Sequence, residues 1–226
     1  MSKGLSKEDL EQDILLEYSS RFMHYYENNK AAVVGIGIAI VAVIGLGIGY
    51  FVYSNQQEAE AQELLSQAEQ AFMVGDYETA LNGDDEAFTI GFAQIADNYG
   101  RTTAGNLASY YAAVSEFELG NFESALDYIS DFSVPDGIVG ITPLTLHATI
   151  LSELERYSEA AEIYDEAAEW SSNRSTTAQN IFEAAIAYNE AGMNQEALER
   201  VERVLEEFPN SSYITEAQRL HGTLTQ

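Results

Sequence analysis

An unbroken apolar run constrains this chain more than any other feature of its sequence. Residues 31–53 read AAVVGIGIAIVAVIGLGIGYFVY, 23 residues without a charge. As a helix this run would be about 34 Å long, enough to cross a hydrocarbon layer of roughly 30 Å. Aromatic residues of the kind that gather at membrane interfaces flank it, namely Tyr25, Tyr26, Tyr50, Phe51 and Tyr53. The run predicts one transmembrane helix.

Two alternatives to a membrane anchor are a buried core helix and a cleaved signal peptide. The apolar part of a signal peptide is usually about 7–15 residues long and follows a short basic segment. Here a charged segment of 30 residues comes first, and the apolar run is longer. Ala59-Glu60-Ala61 resembles a cleavage site but lies beyond the run, among glutamates. The pattern favours an uncleaved anchor.

Basic residues predict the orientation of that anchor. Lys3, Lys7, Arg21 and Lys30 precede the run, whereas no Lys or Arg occurs between Phe51 and Gly100. Because positive charge favours the cytoplasmic side, the N-terminus is expected in the cytoplasm. The predicted parts are a cytoplasmic tail (1–30), the transmembrane helix (31–53) and an exported domain (54–226). The tail is predicted to be amphipathic, with one apolar stripe of Leu10, Ile14, Tyr18 and Phe22.

The charge balance and the absence of cysteine exclude several functions. The chain has 37 acidic and 10 basic residues, a net charge of −27, and no Cys. Nucleic-acid binding is excluded because it depends on Lys and Arg that neutralise phosphates. Disulfides, thiolate catalysis and Cys-based metal sites are excluded as well. The acidic surface has two interpretations, adaptation to high salt or attraction of cationic partners.

The exported part repeats a short pattern four times. The first copy reads GDYETAL from Gly75, the second GNFESAL from Gly120, the third ERYSEAA from Glu155 and the fourth GMNQEAL from Gly192. The glycine suits the end of a first helix, where a positive φ is needed. The aromatic residue two positions later begins a second helix, and the small alanine lets the two helices approach. That alanine recurs at intervals of 45, 35 and 37 residues, as Ala80, Ala125, Ala160 and Ala197.

This pattern resembles the tetratricopeptide repeat family, a stack of helix pairs with a period near 34 residues, over about residues 60–210. The resemblance implies an all-α solenoid of about four helix pairs, with a capping helix at residues 211–220. Three departures stand out. Glu155 replaces a turn glycine, Asn194 replaces an aromatic residue, and an insertion at residues 82–86 is expected to interrupt the second helix of the first copy.

The order of the parts resembles a narrower group, the single-span ancillary subunits of the Sec translocon. An acidic helix ends in Arg21-Phe22 and Glu27-Asn28-Asn29-Lys30, and a Gly-rich span, a charged helix and weak repeats follow. The resemblance implies a bacterial inner-membrane protein with a periplasmic domain. Its implied role is to contact the translocon and periplasmic chaperones while secreted chains emerge. The alternative is a scaffold of another envelope complex, for outer-membrane assembly or cell division.

No pattern of catalytic, metal-binding or cofactor-binding residues is visible. The three histidines lie far apart, and neither a phosphate-binding loop nor a nucleophile elbow occurs. We therefore expect a non-enzymatic protein without a cofactor or metal, and an enzyme is the weaker hypothesis.

A peptide groove is the expected working surface, because the first helix of each repeat lines the concave face of a tetratricopeptide solenoid. Mixed aromatic, hydroxyl and amide side chains suit an extended peptide, and the absence of Lys and Arg disfavours an acidic one. Packing between repeats is the competing assignment for the aromatic residues. The predicted groove residues are Tyr110, Val114, Phe117, Thr145, Thr149, Ser152, Phe182, Ile186 and Asn189.

Small residues form two ridges in the apolar run. Ala31, Gly35 and Ala39 recur every four residues, as do Gly45 and Gly49. Such ridges let two membrane helices approach closely. They predict packing against a translocon helix or a second copy of the chain, which would make a homo-oligomer. The alternative is that glycine is simply common in membrane helices.

Overall fold

The computed structural model describes residues 18–21, 23–84, 86–171 and 173–226. Residues 18–21 and 23–28 are helical. Most of the predicted apolar stripe of the tail lies outside the described residues, since that stripe includes Leu10, Ile14 and Phe22. Two compact units can be distinguished, Met1–Asn55 and Gln56–Gln226.

Helix α1 spans Lys30–Met73, 44 residues that include the whole apolar run. It is long and apolar enough to cross a membrane, and its most apolar stretch of 18 residues has no buried residue. The charged part of α1 behaves differently, because Ala61, Leu65 and Ala68 are buried in the core of the second unit. One helix therefore contains both the apolar run and the first helix of the first repeat.

The second unit is built of helix pairs, which confirms the all-α prediction. In each repeat we name the first helix A and the second helix B. In repeat 1, helix A is the end of α1, and helix B comprises α2 (Tyr77–Asn82) and α3 (Phe92–Tyr99). Repeat 2 contains α4 (Thr103–Glu118) and α5 (Phe122–Asp131). A 3-10 turn (Ile138–Gly140) precedes repeat 3, which contains α6 (Ile141–Glu153) and α7 (Tyr157–Trp170). Repeat 4 contains α8 (Arg174–Glu190) and α9 (Asn194–Glu207), and α10 (Ile214–Leu224) follows it.

The four A-to-B turns share one geometry. Gly75, Gly120 and Gly192 have φ values of 79°, 79° and 75°, and Glu155 occupies the equivalent position at 56°. In repeat 3, Glu155 N donates to Ser152 O (3.0 Å) and Arg156 N donates to Leu151 O (2.9 Å). These two bonds satisfy carbonyls that the end of α6 would otherwise leave free. The other three turns form the same pair of bonds.

The insertion in repeat 1 forms a small hairpin, which confirms that it interrupts helix B. Strands β1 (Gly83–Asp84) and β2 (Thr89–Ile90) pair antiparallel, with Gly83 opposite Ile90. Asp84 Oδ1 accepts bonds from the N–H groups of Glu86 (2.8 Å) and Ala87 (3.2 Å). Phe88 stands at the end of this turn with a φ of 53° and 92% of its surface exposed.

The core lies where small residues let helices A and B meet. The four recurring alanines are all fully buried, as the pattern predicts. Aromatic rings fill the wider space in repeat 1, where Phe72, Phe92 and Tyr111 have centroids 5.0–5.8 Å apart. The helix that closes the stack is α10, displaced toward the C-terminus from the predicted range of 211–220. Its Ala217 is buried against repeat 4.

The start of α4 is held by a residue of α1. Glu58 accepts hydrogen bonds from Thr103 N at 2.6 Å and from Ala104 N at 3.1 Å. A carboxylate at this position accepts hydrogen bonds from N–H groups that have no partner within the helix. Its negative charge also interacts favourably with the positive end of the helix dipole. Glu58 thereby links the end of α1 to repeat 2 across 45 residues of sequence.

Candidate functional site

The predicted groove residues of α4 take part in packing between helices. The Tyr110 ring lies 5.5 Å from the Phe132 ring, and the Phe117 ring lies 5.5 Å from the Phe122 ring. Tyr110, Val114 and Phe117 are half-buried. Burial raises the pKa of the Tyr110 hydroxyl, and the neighbouring Tyr111 raises it further. On α4 the aromatic residues therefore join repeat 2 together while keeping part of their surface open.

The predicted hydroxyl groups of α6 are bonded within the protein. Thr145 Oγ1 donates to Asn180 Oδ1 of α8 at 2.8 Å, and Asn180 is 99% buried. Thr149 Oγ1 lies 2.9 Å from the Tyr164 hydroxyl of α7, and Ser152 Oγ donates to Ala148 O at 3.1 Å. The bonds of Thr145 and Thr149 connect neighbouring helices and that of Ser152 lies within α6, so all three side chains have less free hydrogen-bonding capacity than the sequence suggested.

On α8 the predicted residues differ in exposure. Phe182 is buried, 7% exposed, and its ring lies 5.5 Å from the Tyr213 ring. Asn189 is half-buried, whereas Ile186 is 37% exposed. Ile186 belongs to a stripe that continues along one side of α8 and consists of Gln179, Glu183, Ile186 and Glu190. We call this stripe the open face of α8.

Glu183 is a residue of this face that sequence analysis did not single out. It is half-buried, and within the described parts of the chain no group forms a hydrogen bond or ion pair with its carboxylate. Burial raises the pKa of its carboxyl group. Burial raises the pKa of Tyr164 and Tyr213, and the negative charge of Glu183 raises both further, so the two hydroxyls lie within its electrostatic range. The only sequence signal was its position next to Phe182 in a predicted groove helix.

A second charged cluster joins α7, α8 and α9. Arg200 donates to Asp165, with Nη2 and Oδ2 2.8 Å apart, and its guanidinium lies over the Tyr188 ring at 5.1 Å. The Tyr188 hydroxyl also donates to Asp165 at 3.0 Å. Burial, together with the Asp165 charge, raises the pKa of Tyr188 to about 12. Every polar group of this cluster has a partner, which is typical of a structural brace.

The described residues contain no group of three or more His, Asp or Glu side chains placed to hold a metal ion. The small residues of the apolar run are exposed, and a methyl group added at Gly35, Gly45 or Gly49 would meet no atom within 4 Å. Ala39 is exposed as well. The ridge residues are thus open to a neighbouring helix, and their role in packing stays a prediction.

Comparison with known families agrees with the helix-pair architecture. The sequence model of a tetratricopeptide repeat-like domain matches residues 23–168, well over half of the chain. The chain belongs to this family. A model of the tetratricopeptide repeat itself matches residues 179–211, which cover most of α8 and all of α9. No curated protein matches the chain. Tetratricopeptide repeats generally mediate protein–protein interaction. The matches therefore indicate that this chain is a protein-interaction scaffold, without identifying its partners.

Proposed function

We propose that this tetratricopeptide repeat protein is a non-enzymatic scaffold tethered to the bacterial inner membrane beside the Sec translocon. Residues 31–53 cross the membrane, residues 1–30 face the cytoplasm, and residues 54–226 form a periplasmic interaction domain. The domain binds secreted or envelope polypeptides and their chaperones. A tether raises the local concentration of a weak binding module, so modest affinity is enough.

The geometry of α1 supports an uncleaved anchor, and this observation carries the proposal. Cleavage after Ala61 would remove Ala61 itself, which is fully buried in the core of repeat 1. It would also remove Glu58, which accepts the bonds from Thr103 N and Ala104 N at the start of α4. Processing at this sequence would therefore disrupt repeat 1 and the start of repeat 2.

The order of parts supports the assignment to the translocon. An acidic helix precedes a Gly-rich apolar run, which leads into a charged helix and weak repeats. The matched family domain begins at residue 23, ahead of the apolar run. The run and the repeats thus belong to one family domain rather than to an accidental fusion.

Photo-crosslinking in cells tests the proposal. A photoreactive amino acid is placed at Leu46 in the apolar run, where the side chain is 75% exposed, or at Ile186 on the open face of α8. Glu206, an exposed residue of α9, provides a control position. We expect translocon subunits to crosslink at position 46 and secreted chains or chaperones at position 186, with neither at position 206.

Other results would refute parts of the proposal. Crosslinks only to proteins of outer-membrane assembly or cell division would show that the protein is a scaffold of another envelope complex and not of the translocon. Protease added to spheroplasts should digest residues 54–226. A protected C-terminal domain would show that the proposed orientation is wrong.

A further inference from the structure

Within the part of the chain that the structure describes, the carboxylate of Glu183 has no counter-charge. The charge of Glu183 acts on the hydroxyls of Tyr164 in α7 and Tyr213 just before α10, and both of these groups are neutral. The other charges that raise the pKa of these two tyrosines after burial are also carboxylates, Glu153 for Tyr164 and Glu216 for Tyr213. The arginines of repeats 3 and 4 have other partners, since Arg156 binds Glu159, Arg174 binds Glu207 O, Arg200 binds Asp165 and Arg203 binds Glu169.

A half-buried carboxylate without a partner loses part of its hydration and gains nothing in return. A cationic side chain from another molecule would supply the missing charge. The residues beside Glu183 indicate what kind of molecule could supply this cation. Ile186 offers an exposed apolar side chain one turn beyond Glu183, and the hydroxyls of Thr145 and Thr149 already bond within the protein. The open face of α8 therefore offers a partner one unpaired negative charge and one exposed apolar side chain.

The spacing of Glu183 and Ile186 suits an extended polypeptide. Side chains three residues apart on a helix lie about 5–6 Å from each other. Alternate side chains of an extended strand, which point to the same side, are roughly 7 Å apart. A strand with a basic residue two positions from an apolar residue can therefore contact both groups at once.

We propose that the open face of α8 binds an extended polypeptide segment, with a Lys or Arg side chain against Glu183 and an apolar side chain on Ile186. This inference rests on the proposed scaffold function and specifies the chemistry of its client. The net charge of −27 acts in the same direction, because it attracts basic segments from a distance.

Peptide binding to the full chain in neutral detergent micelles tests this inference. The probe is a fluorescent peptide of sequence Ser-Lys-Ser-Leu-Ser-Lys-Ser-Leu-Ser, and its counterpart has Glu in place of both Lys residues. Affinity is measured by fluorescence anisotropy for the wild type, Glu183→Gln and Glu206→Gln. The two variants lose the same charge, but Glu206 lies on α9 and is exposed. Circular dichroism establishes that each variant is folded.

We expect Glu183→Gln to weaken binding of the Lys peptide about tenfold, which corresponds to the loss of one partly buried ion pair. Glu206→Gln should change the affinity less than about twofold, because an exposed charge acts only through the general field. The Glu peptide should bind the wild type at least about tenfold more weakly than the Lys peptide.

Three results would overturn the inference. They are an equal loss in both variants, unchanged binding to Glu183→Gln, and equal binding of the Lys and Glu peptides. Failure of the inference is distinguishable from failure of the scaffold function. Crosslinks to secreted chains at position 186 that persist in Glu183→Gln would retain the scaffold and reject the role of Glu183. Peptide binding that depends on Glu183, without crosslinks to the translocon, would retain the role of Glu183 and reject the proposed place of the scaffold beside the translocon.

Discussion

Glu155 holds a backbone conformation that the other three repeats assign to glycine. Its φ of 56° lies in the left-handed region, and its side chain is exposed. The corresponding glycines, Gly75, Gly120 and Gly192, have open space where a side chain would begin. The energetic difference between Glu and Gly at this turn therefore comes from backbone conformation rather than from contacts. We predict that Glu155→Gly stabilises the repeat domain.

The size of the effect follows from two opposing contributions. The left-handed conformation costs a residue with a Cβ atom about 1–2 kcal/mol. Glycine lowers the folded state relative to the unfolded one by less than this, because it makes the unfolded chain more flexible by about 0.4–1 kcal/mol. The net gain is roughly 0.5–1 kcal/mol. For a domain of this size the unfolding temperature should rise by about 1–4 °C.

Fluorescence of Trp170, the only tryptophan, provides the assay. Its indole N–H donates to Pro135 O at 3.1 Å, so its emission reports unfolding around repeat 3. The full chain is titrated with urea in neutral micelles. Gly120→Ala serves as the reverse substitution, and it should lower stability by a similar amount. Glu155→Gln, which removes the charge and keeps the Cβ atom, should change little.

An unfolding midpoint for Glu155→Gly at or below that of the wild type would refute this reasoning. So would a gain of the same size in Glu155→Gln, because that result would assign the effect to the charge of Glu155. Either outcome would mean that backbone strain at this turn is negligible.

Three further predictions concern charge. Arg200→Gln should lower the free energy of unfolding by about 1–3 kcal/mol, because it leaves the partly buried Asp165 without its cation; a change below about 0.5 kcal/mol in the urea titration would contradict this. Burial raises the pKa of Glu183, so the unfolded chain releases this proton first as pH rises and stability falls between the unfolded and folded pKa values. Glu183→Gln should therefore raise the thermal midpoint relative to the wild type at pH 7 and less at pH 4, and an equal difference at both values would count against it. KCl should raise the thermal midpoint of the wild type by screening the net charge of −27, as the salt-adaptation interpretation requires, and a flat response would exclude that interpretation.

The repeat architecture could be predicted because local chemistry determines it. Positive φ favours glycine at 75, 120 and 192, and close helix contact requires a small residue, so both leave a periodic trace in the sequence. The insertion in repeat 1 was visible through the longer interval between Ala80 and Ala125. Its folding into a strand pair was not visible, because two-residue strands carry no periodic pattern.

The candidate site was harder to predict, because exposure depends on which helices meet. Phe182 and Ile186 occupy neighbouring turns of α8, yet the ring of Phe182 is covered by Tyr213, which lies 31 residues later in the chain. The lack of a partner for the Glu183 carboxylate could not be predicted from the sequence for the same reason. A carboxylate reveals its lack of a partner only once the nearby arginines are seen to bind other residues.

The bond between Thr145 and Asn180 has a mechanical consequence for the stack. Apolar packing between alanines and rings is not directional, so it defines the relative position of two helices less sharply than a hydrogen bond does. A hydrogen bond weakens steeply when its geometry is distorted. Asn180, which also donates to Thr176 O, therefore resists shear between α6 and α8. When the repeats move relative to one another, the junction of repeats 3 and 4 should therefore deform less than a junction held by apolar packing alone.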